Sequence, residues 1–141
     1  MVKPFSSSSV GLLSALALAL ASTGLRAQEE EKVLNIYNWS DYIAEDTIKN
    51  FEKETGIKVR YDNFDNNEIV HAKLVAGKTG YDIVVPSSNW AKLQIDGGLL
   101  RKIDKAQLSN YKFLDPALQA QLARLDPGNE YMVNWLWGFT T

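Results

Sequence analysis

The sequence predicts an α/β fold, an open parallel sheet with helices on its faces. Three observations carry this. From Val33 onward, short runs of β-forming residues alternate with segments of helical period. Glycines stop the helical segments, at Gly56, Gly77 and Gly97. The third strand-like run, Tyr81 to Val85, is mostly apolar, as a strand buried on both faces would be.

The elements follow in order. Val33 to Tyr37 (VLNIY) is a short strand, and Trp39 to Ala44 a loop. Asp46 to Thr55 is a helix with an acidic start and Ile48 and Phe51 on one face. Ile57 to Phe64 is the second strand, in which Ile57, Val59 and Tyr61 alternate with Lys58, Arg60 and Asp62. Asp65 with Glu68 reads as a capping box opening a helix through Ile69, Val70, Leu74 and Val75. After the third strand, Pro86-Ser87-Ser88 breaks the run and Asn89 to Asp96 is a helix, with Ser88 as its cap and Ser87 free. Asp104 to Leu108 reads as a helical turn. Asp115-Pro116 is a cap and first-turn pair for a helix over Ala117 to Leu125. A turn at Asp126-Pro127-Gly128-Asn129 precedes a last strand, Tyr131 to Trp137.

The ends of the chain define its organisation. Met1-Val2-Lys3 is a short basic start, and Val10 to Ala21 is an apolar run of 12 residues. A helix spanning a bilayer needs about 20 residues. The run therefore reads as the core of a secretory signal peptide over residues 1–27, cleaved after Ala27, although Leu25 replaces the usual small residue. Residues 28–141 form the mature segment, expected in the periplasm. The other end stops shortly after YMVNWLWGF, which holds two of the four Trp, so a truncated sequence is expected.

Charge and composition exclude several functions. The chain carries 15 basic and 17 acidic residues, a net of -2. Without residues 1–27 it keeps 13 basic and 17 acidic, a net of -4. No basic excess marks a nucleic-acid surface. The absence of Cys removes thiol catalysis, thiolate metal sites, disulfides and lipid attachment. No Gly-rich phosphate loop, G-x-S-x-G elbow or H-E-x-x-H occurs, so neither enzyme, cofactor nor metal site is expected. His71, without a second His, reads as a solvated helix residue. Asp62, Asp65 and Glu68 form a small acidic group, two of them explained by capping and a cation site the minor alternative, and Arg101, Lys102 and Lys105 read as a solvated basic patch.

In open parallel sheets, ligands bind beyond the carboxyl ends of strands where strand order reverses. That selects the loops after strands one and three, Trp39-Ser40-Asp41-Tyr42 and Pro86-Ser87-Ser88-Asn89-Trp90. Trp39 either holds a cation or alkyl chain on its face or anchors the loop to the sheet. Asp41 either neutralises an ammonium or caps a turn. Ser40 and Ser87 supply hydrogen bonds. Together these groups suit a small organic cation.

Three blocks, YNWSDYI at 37–43, FEKETGIKV at 51–59 and YDIVVPS at 81–87, resemble the periplasmic polyamine-binding proteins of ABC transporters, most closely the putrescine type. The resemblance covers about Val33 to Thr141. It implies the first part of lobe 1 of a two-lobed, type II binding protein, with the second lobe absent. It further implies a monomer that captures a polyamine and delivers it to an inner-membrane ABC permease. Ligand contacts are implied at Trp39, Ser40, Asp41 and Ser87. Ser40-Asp41 is typical of putrescine-type members, where spermidine-preferring ones tend to have Thr-Glu, so spermidine or another organic cation is the alternative ligand. Asn89-Trp90 departs from the family's usual continuation. As encoded, without the opposing lobe, the fragment is the other alternative: a piece with no binding function of its own.

Overall fold

The computed structural model describes residues 31–138; the expected signal peptide lies outside them. Strands β1 (Val33–Trp39), β2 (Lys58–Phe64) and β3 (Ile83–Val84) form one parallel sheet in the order β2-β1-β3. Helix α1 (Thr47–Thr55) connects β1 to β2, and α2 (Asn67–Ala76) connects β2 to β3. The open parallel α/β architecture is therefore as expected.

Register locks the sheet along its whole middle strand. β1 pairs with β2 from Val33–Lys58 through Trp39–Phe64, and with β3 at Ile36–Ile83 and Tyr37–Val84. Asp82 N–H donates to the Asn35 carbonyl at 2.9 Å and Val85 N–H to the Tyr37 carbonyl at 3.0 Å, extending the ladder by one bond each way. Tyr81 to Val85 is not buried on both faces as its composition suggested. β3 is an edge of this sheet and Ile83 is 45% exposed.

Local chemistry explains where the helices start and stop. Gly56 adopts a left-handed φ of 70° and donates its N–H to the Glu52 carbonyl, ending α1. α2 is capped by Asn66, not Asp65: the extended Asn66 backbone aims its side-chain oxygen at the Ile69 N–H, 2.9 Å away. The expected capping box is off by one residue, although Glu68 still lies in the first turn, where the helix dipole favours it.

The remaining chain packs beyond the sheet. Helix α3 (Ser88–Asp96) has Ser87 at its cap position, and two 3₁₀ turns follow, Lys105–Gln107 and Tyr111–Phe113. Helix α4 (Pro116–Leu122) opens as expected, with Asp115 accepting from Ala117 and Leu118 N–H at 2.7 and 3.3 Å. Buried Asp126 fastens the turn after it by accepting from the Tyr131 and Met132 amides. The expected strand Tyr131 to Trp137 does not form within the described residues. No strand lies beside it there, and an apolar run becomes a strand only when a neighbour completes its ladder. Val133, Trp135 and Leu136 stand largely in solvent.

Two small apolar cores result. One joins Tyr37, Phe64 and Val70 with Trp39, Leu74, Tyr81 and Val84 packed around them. The other joins Ala91, Leu122 and Met132 with Ile95, Leu125 and Tyr131. The first lies against the sheet and supports the loop leaving β1.

Candidate ligand site at the strand ends

Because β1 and β3 are parallel neighbours, the loops that leave them emerge side by side at one end of the sheet. The first loop starts from a fixed point. Asn38 is buried, donates to the Tyr61 hydroxyl at 2.8 Å and accepts the Trp39 N–H at 2.8 Å. Asn63 on β2 donates to the Trp39 carbonyl at 3.0 Å. Side-chain amides thus reinforce the ladder where β1 ends, and the chain leaves Trp39 with its backbone held.

The Trp39 ring lies against Phe64, with centroids 4.6 Å apart, and is flanked by Tyr42 at 6.1 Å in a stacked arrangement. It is half-buried. The two readings of Trp39 are therefore not exclusive, since one ring both packs on the core and borders an open groove. Trp39, Tyr42 and Ser87 line part of that groove, together with Ile43 and Pro86, and it runs on broadly to the segment 131–138. Ser40 and Asp41 stand outside its lining, on the exposed turn.

Asp41 adopts a φ of 60°, in the left-handed region, which Asp and Asn enter more readily than other non-glycine residues. Its carboxylate has no hydrogen-bond or ion-pair partner among the described residues, so it caps nothing. Left-handed backbone at a non-glycine position costs roughly 1–2 kcal/mol. The exposed carboxylate held there is left open to solvent and to a ligand.

Ser87 differs from its expected state. It, and not Ser88, occupies the α3 cap position, yet its hydroxyl caps no amide. Instead Asn67 at the start of α2 holds it twice. Ser87 N–H donates to Asn67 Oδ1 at 2.9 Å, and Asn67 Nδ2 donates to Ser87 Oγ at 3.0 Å. Asn38, Asn63 and Asn67 all shape this end of the sheet, and none stood out in the sequence. Their partners lie 20 to 25 residues away along the chain, apart from the Asn38 contact to Trp39.

Below the loops the strands are joined by aromatic contacts. Tyr37 and Tyr81 stack in parallel, and the Lys73 ammonium lies 4.4 Å from the Tyr37 ring centre. The Tyr81 hydroxyl donates to Asp62 and accepts from Lys73. The Asp62 carboxylate holds the Tyr81 phenol above its ordinary pKa, and the Tyr81 hydroxyl raises that of Lys73. His71 is not purely solvated: its ring lies 5.5 Å from that of Trp90 and its Nδ1 is buried. Among the described residues no cluster of three or more acidic or His side chains could hold a metal.

Known proteins share this sequence closely. The chain is 51% identical over 126 residues to the putrescine-binding periplasmic protein SpuD of Pseudomonas aeruginosa, covering 89% of this chain and 34% of that protein. It is 50% identical over 128 residues to the putrescine-binding periplasmic protein PotF of Escherichia coli, covering 91% and 34%. Over about nine-tenths of its length the chain matches periplasmic polyamine-binding proteins. The spermidine/putrescine-binding periplasmic protein of Escherichia coli is 40% identical over 92% of the chain and 36% of its own length. Among solved structures, the spermidine/putrescine-binding protein PotD of Streptococcus pneumoniae matches with a TM-score of 0.66 and 38% identity, over 70% of this chain and 30% of that one. No family model matches the chain. The chain spans about a third of the length of these polyamine-binding relatives.

Proposed function

We propose that this chain forms the first part of lobe 1 of a periplasmic receptor that captures a polyamine, putrescine foremost, and passes it to an inner-membrane ABC permease. Residues 1–27 act as its export signal and residues 28–141 remain after cleavage. It performs no catalysis. The observation that carries the reading is Asp41, an exposed and unpaired carboxylate two residues beyond the Trp39 ring at the end of the central strand. Half identity to two putrescine-binding proteins supports the choice of ligand.

In this mechanism Trp39 packs on the methylene chain and attracts an ammonium to its face. Asp41 neutralises one charged end, and Ser40 and Ser87 accept hydrogen bonds from it. Closure of a second lobe would exclude water and strengthen each polar contact. Calorimetric titration with putrescine, spermidine and a neutral four-carbon diol tests the reading. Binding of putrescine with no response to the diol is expected. Spermidine binding at higher affinity would transfer the preference to the longer amine, and equal response to the diol would overturn a cation site.

A further inference from the structure

The cap position of α3 holds an anomaly. A serine with extended backbone before a helix ordinarily turns its hydroxyl onto the second or third amide of that helix. Ser87 has that backbone, with φ -62° and ψ 148°, but its hydroxyl makes no such bond. It is drawn instead to Asn67, in the reciprocal pair of bonds at 2.9 and 3.0 Å.

That pairing has a chemical consequence for a cation. An ammonium can only donate hydrogen bonds, so a useful serine must offer it a lone pair. Asn67 Nδ2 donates to one lone pair of Ser87 Oγ, which fixes the oxygen and directs the other. Asn67 Oδ1 takes the Ser87 N–H, so this amide is not left as a free donor in the loop. One amide thereby makes the end of this loop more accepting, at a helix start whose free amides otherwise favour anions.

The clamp is braced from the same helix faces. His71 lies one turn beyond Asn67 on α2, and Trp90 one turn beyond Ser87 at the start of α3, and their rings are 5.5 Å apart. The α2–α3 junction is therefore tied at two successive turns, and the Ser87 hydroxyl is set by α2 more than by its own loop.

We propose that Asn67 is a positioning residue that aims the Ser87 hydroxyl at the ligand ammonium, an assignment that rests on the polyamine reading of this site. A double-mutant cycle in the purified chain tests it, using putrescine titrations of wild type, N67A, S87A and the double variant. N67A is expected to weaken binding roughly fivefold, the worth of one ordinary hydrogen bond. In the S87A background the same change should cost clearly less, since only the bond from the residue-87 amide remains to be lost. Additive losses would overturn the proposal, because they would mean that Asn67 acts on the fold and not through Ser87.

Amide hydrogen exchange separates this from the wider reading. N67A should speed exchange at the Ser87 N–H, whereas the isosteric N67D keeps an oxygen for that amide and should leave it slow. If wild-type chain does not bind putrescine, the polyamine reading fails while exchange still decides the clamp. Unchanged Ser87 exchange in N67A would then overturn it. N67D also covers the case in which N67A does not fold: a Ser87 amide that exchanges fast in N67D would equally reject the clamp.

Discussion

The Tyr37 and Tyr81 rings lie parallel, 4.6 Å between centres and 2° between planes, joining the middle strand to the approach of β3. The stack is held by polar groups at its margin. Tyr81 donates to Asp62 at 2.6 Å, and Lys73 donates to Tyr81 while lying over both rings.

This arrangement predicts an alkaline limit to stability. Both Tyr81 and Lys73 have raised pKa values in the folded chain, Tyr81 mainly through its bond to Asp62 and Lys73 mainly through its bond to Tyr81. A raised folded pKa contributes stability that is fully present below the unfolded value and is lost as pH rises through the folded one. Free tyrosine and lysine ionise near pH 10 to 10.4. Melting temperature should therefore hold up to about pH 10 and fall above it. Tyr81→Phe should flatten that fall, and an unchanged alkaline limb in this variant would reject the assignment.

Phe64 is 3% exposed and touches both Tyr37 and Trp39. Phe64→Ala should cost about 3–5 kcal/mol of folding stability through lost burial and the cavity left behind. Urea unfolding measures the loss. The same variant should shift tryptophan emission to longer wavelength, because Trp39 loses the ring it packs on.

Asp41 separates charge from backbone shape. Asp41→Gly relieves the left-handed conformation and should raise stability by about 1 kcal/mol, while weakening putrescine binding at least roughly tenfold, about 1.4 kcal/mol. Asp41→Asn keeps a residue that tolerates this conformation and removes only the charge, so it should match the glycine variant in affinity but not in stability. Thermal melts and calorimetry on the two variants make the comparison. Trp39→Ala should also lose roughly tenfold in affinity; unchanged affinity in Trp39→Ala and in Asp41→Gly would remove this loop from the site.

Asn38 holds the exit from β1 while 2% exposed. Asn38→Leu leaves the Trp39 amide and the Tyr61 hydroxyl without their partner, which should cost about 1–3 kcal/mol. Asn38→Asp keeps the oxygen facing Trp39 N–H and loses the donor to Tyr61. Denaturant midpoints ranked wild type, Asp, Leu are expected; equal midpoints would show that the buried amide carries no weight.

Strand and helix order were legible because they depend on local signals. Alternation placed β2, Gly56 placed the end of α1, and Asp115-Pro116 placed the start of α4. The misreadings fall where a distant partner decides. Asp65 and Asn66 are both good caps, and only the chain path after Phe64 selects the second. The hydroxyl of Ser87 is set by Asn67, 20 residues earlier. Tyr131 to Trp137 has the residues of a strand but no neighbour to pair with among the described residues. At the proposed site, Trp39 and Asp41 could be singled out by residue type and strand-end position, whereas Asn38 and Asn63, which hold the Trp39 backbone, could not.

The middle strand of the sheet is also the first to be synthesised. Both strands that pair with β1 lie downstream, with Asp82 meeting Asn35 across 47 residues. At about 5–20 residues per second that gap is roughly 2 to 10 s of translation, during which β1 exists without its second neighbour. Tyr37, nearly sealed in the finished fold, is then open to any surface that will take it. A chain wired this way stays incomplete until its third strand is made, an interval in which a holding factor or a translocation machine has an unfinished sheet to work with.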